Sequence, residues 1–299
     1  MSTPLPETPV TVLALVEQMA ARLDAAGLSF SNGFGQGTTN AFDEAAWLVL
    51  WKLGLPVDDL DSVENQPVAP VDIAQVAILL EARIATRKPA AYLTNEAWLM
   101  GVPFYVDERV IIPRSFIAEL LIEASIDPWL SEKTERVLDL CTGNGSLAVL
   151  AAMTYPDVAV DAADISPDAL AVARINVDRH RLAGRITLIE SDGLALCPGA
   201  YDLILCNPPY VNAASMAALP AEFRAEPDLA LAGGSDGMDF IRALFLNAAA
   251  QMNENAVLVL EIGHERENFE RAFPHLEPLW FETSAGPDQV LLLTREQLA

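Results

Sequence analysis

From Glu135 to the end of the chain, apolar runs of strand length alternate with stretches of helical periodicity, and no other feature constrains the fold as strongly. The runs are Val137 to Leu140, Val158 to Ala163, Ile186 to Glu190, Asp202 to Cys206 and Val257 to Ile262. Helical patterns separate the first three, and a further helix is predicted over Asp236 to Met252. After Pro278, Leu279 to Glu282 and Gln289 to Thr294 read as a terminal β-hairpin. Strands running the same way need crossover helices between them, so the pattern predicts a doubly wound α/β domain of seven strands, the last antiparallel.

The N-terminal third is different. Leu13, Val16, Met19 and Leu23 recur at helical spacing, and a second helix is predicted from Ala41 to Leu53, capped by Asn40 and stopped by Gly54. Gly33-Phe34-Gly35-Gln36-Gly37 is read as a loop rather than a nucleotide site, because no strand precedes it. Asp58 to Pro70 reads as a surface connection, and Val71 to Arg87 as a third helix ended by Lys88-Pro89. Tyr92 to Val110 carries short alternating runs broken at Gly101 and Pro103, the pattern of a hairpin. The expected organisation is a helical domain over 1–90, a hairpin linker over 91–112 and the α/β domain over 113–299.

Charge excludes several function classes. The net charge of −24 repels phosphate backbones, and no Lys/Arg cluster reverses it locally, so direct nucleic acid recognition is not expected. A basic protein would be attracted. Met1 to Pro9 holds no basic residue, and charges interrupt every run long enough to span a bilayer, which predicts a cytoplasmic protein without membrane attachment. Cys141, Cys197 and Cys206 have no metal-ligand spacing, so neither a disulfide scaffold nor a metal site is expected. They read as small buried residues.

Ligands on such sheets bind beyond the carboxyl ends of the strands. The first run ends in Asp139-Leu140-Cys141-Thr142-Gly143-Asn144-Gly145, whose glycines allow a tight turn and close approach of a ligand. The second ends at Asp164, followed by Ile165-Ser166-Pro167, and a carboxylate there is placed to accept both hydroxyl protons of a ribose. Asp192-Gly193 follows the third, where a carboxylate can accept from an exocyclic adenine amine. The fourth ends in Asn207-Pro208-Pro209-Tyr210. Its Asn side chain and the Pro208 backbone offer two carbonyls to a planar amino group, and Tyr210 offers a flat face. A nicotinamide site would show a third glycine opening the helix, but Ser146-Leu147-Ala148-Val149 stands there.

These strand ends resemble S-adenosylmethionine-dependent methyltransferases of the Rossmann-like, seven-strand class. Asn207 to Tyr210, with Glu226-Pro227-Asp228-Leu229-Ala230-Leu231-Ala232-Gly233-Gly234-Ser235-Asp236-Gly237 and Leu260-Glu261-Ile262-Gly263, is similar to the protein-glutamine N5-methyltransferases over nearly the whole chain. Release-factor enzymes of that family carry Pro-Arg-Pro where this chain has Ile112-Pro113-Arg114-Ser115. That segment, Ala90 to Asn95, Phe104 to Arg109 and Cys141 are similar to the branch that modifies ribosomal protein L-three of the large subunit.

The resemblance implies S-adenosyl-L-methionine as cofactor, held by Asp139, Thr142, Gly143, Gly145, Asp164, Ile165, Asp192, Gly193 and Asn207. It implies a basic ribosomal protein as substrate, with Asn207, Pro208 and Tyr210 catalytic and Asn207 to Tyr210 gripping the glutamine. The helical domain would select the substrate. No histidine is assigned as a base: His180, His264 and His275 read as surface or supporting residues. Alternatives are a release-factor glutamine methyltransferase, an adenine-N6 nucleic-acid methyltransferase using a nearly identical clamp, and a non-catalytic ribosome-assembly protein that keeps the fold.

Overall fold

A computed structural model describes residues 9–299; the stretch read above as a basic-free N-terminus lies, apart from Pro9, outside the described residues. The chain forms two compact units, one running up to Asn95 and including Pro220–Ala225, the other comprising Glu96–Leu219 and Glu226–Ala299.

The first unit is helical. Helix α1 (Val12–Ala25) is capped by the Thr11 hydroxyl, which accepts from the Ala14 N–H. Helix α2 (Ala41–Leu53) has the expected ends: the Asn40 side chain accepts from Asp43 N–H, and Gly54 takes the left-handed conformation with φ 67°. Helix α3 (Pro70–Thr86) and the short α4 (Ala90–Thr94) follow. Leu15, Val16, Met19 and Leu23 of α1 pack with Ala45, Leu48 and Val49 of α2 in a common core.

Within this core lies a charge. Arg83 is fully buried and donates to Glu44 (2.8 Å), to Glu222 (3.3 Å) and to the Gly33 carbonyl (2.5 Å). Arg87 donates to the same Glu222 oxygen at 2.6 Å. The glycine-rich segment is thus a loop whose carbonyl helps satisfy a buried guanidinium. Burial raises the Glu44 carboxyl above its ordinary range, although Arg83 opposes the shift.

The second unit opens with the hairpin β1 (Ala97–Leu99) and β2 (Val102–Phe104), which forms a small sheet of its own. Helix α5 (Ile117–Ile122) leads into β3 (Arg136–Leu140), α6 (Ser146–Thr154), β4 (Ala159–Asp164), α7 (Pro167–Arg179), β5 (Ile186–Glu190) and β6 (Tyr201–Cys206). Then come α8 (Ala213–Ala218), α9 (Asp239–Phe245), α10 (Ala248–Gln251), β7 (Met252–Glu261), α11 (Arg266–Ala272), β8 (Leu279–Thr283) and β9 (Gly286–Thr294). The seven-stranded sheet has the order β5-β4-β3-β6-β7-β9-β8. Only β9 is antiparallel to its neighbours. Two apolar cores cover its faces, one around Leu147–Ala152 and Val259, the other around Leu138, Ile204 and Phe269.

The helix predicted over Asp236 to Met252 is broken. Asp236 accepts from Met238 N–H and pairs with Arg242, so it serves as a turn acceptor before α9 rather than a helical residue. Met252 pairs with Tyr201 and already belongs to β7. Among the described residues no helix is long and apolar enough to cross a membrane.

Replacing Arg83 by Leu leaves Glu44 and Glu222 buried without their cation and is expected to cost about 3–5 kcal/mol of stability, read from chemical denaturation.

Candidate active site

The order of the sheet reverses between β3 and β6, where ligands of such sheets collect. A cavity lies there, lined from the ends of β3, β4, β5 and β6 and by the irregular strap 111–115. Leu140 pairs with Cys206, so the turn after β3 starts beside Asn207.

That turn is tight. Cys141, Gly143 and Gly145 all have positive φ, at 62°, 54° and 81°. A glycine is the unstrained occupant of such a position, so Cys141 holds the left-handed conformation at a steric cost. Its thiol meets that of Cys206, and this contact together with burial pushes the Cys141 thiol well up. Gly145 serves packing: a Cβ there would lie 3.2 Å from the Ala173 methyl of α7.

Asp139 is the deepest charge of the cavity. Its Oδ2 accepts from Thr142 Oγ1 and, at 2.9 Å, from Ala148 N–H, while buried Oδ1 has no partner among the described residues. Burial pushes its carboxyl up to about 7. Asn144 is the complement: Oδ1 accepts from Ser146 N–H at 3.1 Å, and buried Nδ2 has no acceptor among the described residues. Both residues belong to the cavity lining, so an acceptor and a donor without partners are buried in its wall. Asp164 is anchored by Gly143 N–H on Oδ2 and Ser166 N–H on Oδ1, both at 2.9 Å, and burial raises its carboxyl. Ile165, exposed Asp192 and Gly193 complete this side.

Asn207 and Pro209 line the cavity; Pro208 is buried and Tyr210 half-buried, and neither forms part of the wall. Tyr210 lies in a cradle of glycines. A Cβ on Gly233 would meet its backbone at 2.7 Å, one on Gly237 its carbonyl at 2.3 Å, and one on Gly263 its ring at 2.5 Å. Its hydroxyl points at Glu261 Oε1 at 3.4 Å, and burial beside that carboxylate raises the phenol well above its ordinary range. Across the cavity, Arg114 of the strap makes a two-pronged pair with buried Glu226, at 2.6 and 2.8 Å.

The methyltransferase small domain family matches residues 118–235. Over its length the chain is similar to proteins named ribosomal protein uL3 glutamine methyltransferase. It is 51% identical to that of Bordetella pertussis, with 96% of each chain covered. For Burkholderia pseudomallei the identity is 49%, covering 96% of this chain and 95% of the relative. This chain belongs to the ribosomal protein uL3 glutamine methyltransferase family. Among solved structures, the catalytic domain of human METTL16 in complex with a MAT2A 3′UTR hairpin has a TM-score of 0.51 at 13% identity, covering 75% of this chain and 81% of that one. At that identity the likeness shows the fold alone.

Within this glutamine methyltransferase fold, the structure brings Asp139, Thr142, Gly143, Asp164, Ile165, Asp192, Gly193, Asn207 and Pro209 to one cavity. Gly145, Pro208 and Tyr210 stand behind its wall. Sequence reasoning assigned no role to Glu226, Glu261 or Ser115, although all three lie in motifs that carried the family resemblance. It also passed over Arg109, which lines the cavity while clamped by Asp107 at 2.6 and 2.8 Å. No signal in one sequence distinguishes such supports from surface charges. His180 meets the Pro103 carbonyl at 2.9 Å and packs on Phe104, while His264 and His275 are exposed; none lines the cavity.

Because the folded Asp139 keeps its proton up to about pH 7, whereas an unfolded aspartate loses it near pH 4, its contribution to stability falls as pH rises through that window. In cofactor-free protein, Asp139→Asn is expected to melt several degrees above the parent at pH 8, the gap closing toward pH 4.

Proposed function

We propose that this chain transfers a methyl group from S-adenosyl-L-methionine to the side-chain amide nitrogen of a glutamine in ribosomal protein uL3. The observation that carries the chemistry is the position of Asn207, half-buried on the wall of the same cavity that Asp139 and Asn144 line, each with one buried, unpartnered polar atom. Those two atoms suit an amino-acid end, Asp139 Oδ1 accepting from an ammonium and Asn144 Nδ2 donating to a carboxylate. Asp164, held rigid by two backbone N–H groups, suits a ribose, and Asp192 an adenine amine. When bound, the cofactor supplies an electrophilic methyl group.

A glutamine amide nitrogen is a poor nucleophile because its lone pair is delocalised into the carbonyl. The Asn207 side chain on the wall would accept one of its N–H groups and the Pro208 carbonyl, on the peptide bond that leads into the cavity-lining Pro209, the other, which aims the nitrogen and favours positive charge developing on it. The new bond would join this nitrogen to the methyl carbon while the carbon–sulfur bond breaks and its electron pair stays on sulfur, leaving a neutral thioether, and the nitrogen then gives up a proton. An N-protonated amide is so strong an acid that water or a nearby carbonyl suffices, in keeping with the absence of a histidine from the cavity wall.

The protein substrate is argued from the relatives and from charge. Proteins similar over 96% of the chain carry the uL3 name, and a net charge of −24 steers a basic ribosomal protein toward the enzyme while repelling RNA. That charge disfavours an adenine-N6 activity. We place the reaction in the cytoplasm, on uL3 before or during ribosome assembly.

The test supplies tritiated S-adenosylmethionine to the enzyme with purified uL3, a release factor and RNA in separate reactions. Label on a uL3 glutamine is expected; label on the release factor alone would redirect the substrate. Asn207→Ala is expected to lower kcat about a hundred-fold with cofactor Kd retained, whereas Asp164→Ala should raise that Kd about ten-fold or more by calorimetry.

A further inference from the structure

Two carboxylates are buried next to the clamp, Glu226 at 3% and Glu261 at 1% exposure, and both serve the strap. The strap has no ladder or helix to satisfy its backbone. Glu226 accepts from Ile112 N–H at 3.0 Å as well as from Arg114. Glu261 Oε2 accepts from Ser115 Oγ at 2.6 Å and Phe116 N–H at 2.9 Å. Burying a carboxylate is costly unless its partners are well placed, so such a group earns notice when an apolar residue could have filled the space. Glu226 is fully used by the strap. Glu261 is not: its second oxygen faces the Tyr210 hydroxyl.

We propose that Glu261 is a positioning residue for methyl transfer, tying the Pro113-Arg114-Ser115 strap on one wall of the cavity to Tyr210, the last residue of the clamp whose Asn207 lines it. Tyr210 has little freedom of its own. Gly233 and Gly237 admit its backbone, Gly263 lies under its ring, and the hydroxyl is the one polar handle left to set its angle. The Glu261 contact at 3.4 Å is long for an O–H···O bond, so the hold is one that closes further when a substrate loads the clamp. Glu261 itself touches neither substrate nor cofactor, because it lies at the end of β7 behind the wall.

This inference rests on the glutamine methyltransferase reading, and a double-mutant cycle separates the two. Tyr210→Phe and Glu261→Gln are near-isosteric and keep the packing. Each is expected to lower kcat about ten-fold, and the double variant about ten-fold rather than a hundred-fold, because both remove one interaction. Calorimetric Kd for S-adenosylhomocysteine should stay within about two-fold of the parent throughout. If Glu261→Gln fails to fold, Ser115→Ala with Tyr210→Phe forms the same cycle. Losses that multiply in the double variant, or single variants with full kcat, overturn the role of Glu261. A parent enzyme that leaves uL3 glutamine unmodified overturns the functional reading instead.

Discussion

The pairing of β3 with β6 is the constraint on which the site depends. Two parallel neighbours at the centre of the sheet, in the register Leu140 to Cys206, deliver the Cys141–Gly145 turn and Asn207 to the same edge. Parallel strands cannot be joined by a tight turn, so three crossover connections and about sixty residues intervene in sequence between groups that end side by side. Asp164 is drawn in by the next pairing, and its hydrogen bond to Gly143 N–H fixes the glycine turn and the end of β4 as one piece.

The deep groups of this site are held in place by electrostatic cost. Asp139 and Glu261 are both fully enclosed and both have carboxyls pushed up to about 7, a sign that the fold tolerates them for what they hold. Asp139 keeps the turn closed through Thr142 and Ala148 while its other oxygen stays buried without a partner among the described residues. Glu261 keeps the strap closed through Ser115 and Phe116. Each fixes a piece of irregular backbone that no strand or helix supports.

Much of this was legible in the sequence for identifiable reasons. Strand positions emerged because buried parallel strands are continuous apolar runs, and α2 was placed to the residue because Asn40 and Gly54 mark its ends chemically. Strand-end residues of the site followed from the rule that ligands gather there. Tyr210 was harder. Its planar ring suggested a surface for the substrate, yet three glycines distant in sequence admit it to the interior, and only three-dimensional proximity shows that they do. Glu226 and Glu261 escaped notice because a buried carboxylate and an exposed one are written with the same letter. The broken helix after Asp236 was missed because local hydrogen bonding by an aspartate overrode an apolar period.

The placement of Pro220–Ala225 in the helical unit bears on the order of events during synthesis. Arg83 is made early, but its partner Glu222 follows 139 residues later, after β6 has emerged. Until then the guanidinium has only Glu44 and the Gly33 carbonyl to compensate its burial. The helical unit cannot close its charged centre as an independent first product of the ribosome. Its completion waits for Glu222, so a nascent chain acquires its finished helical unit only once β3 to β6 have already been made.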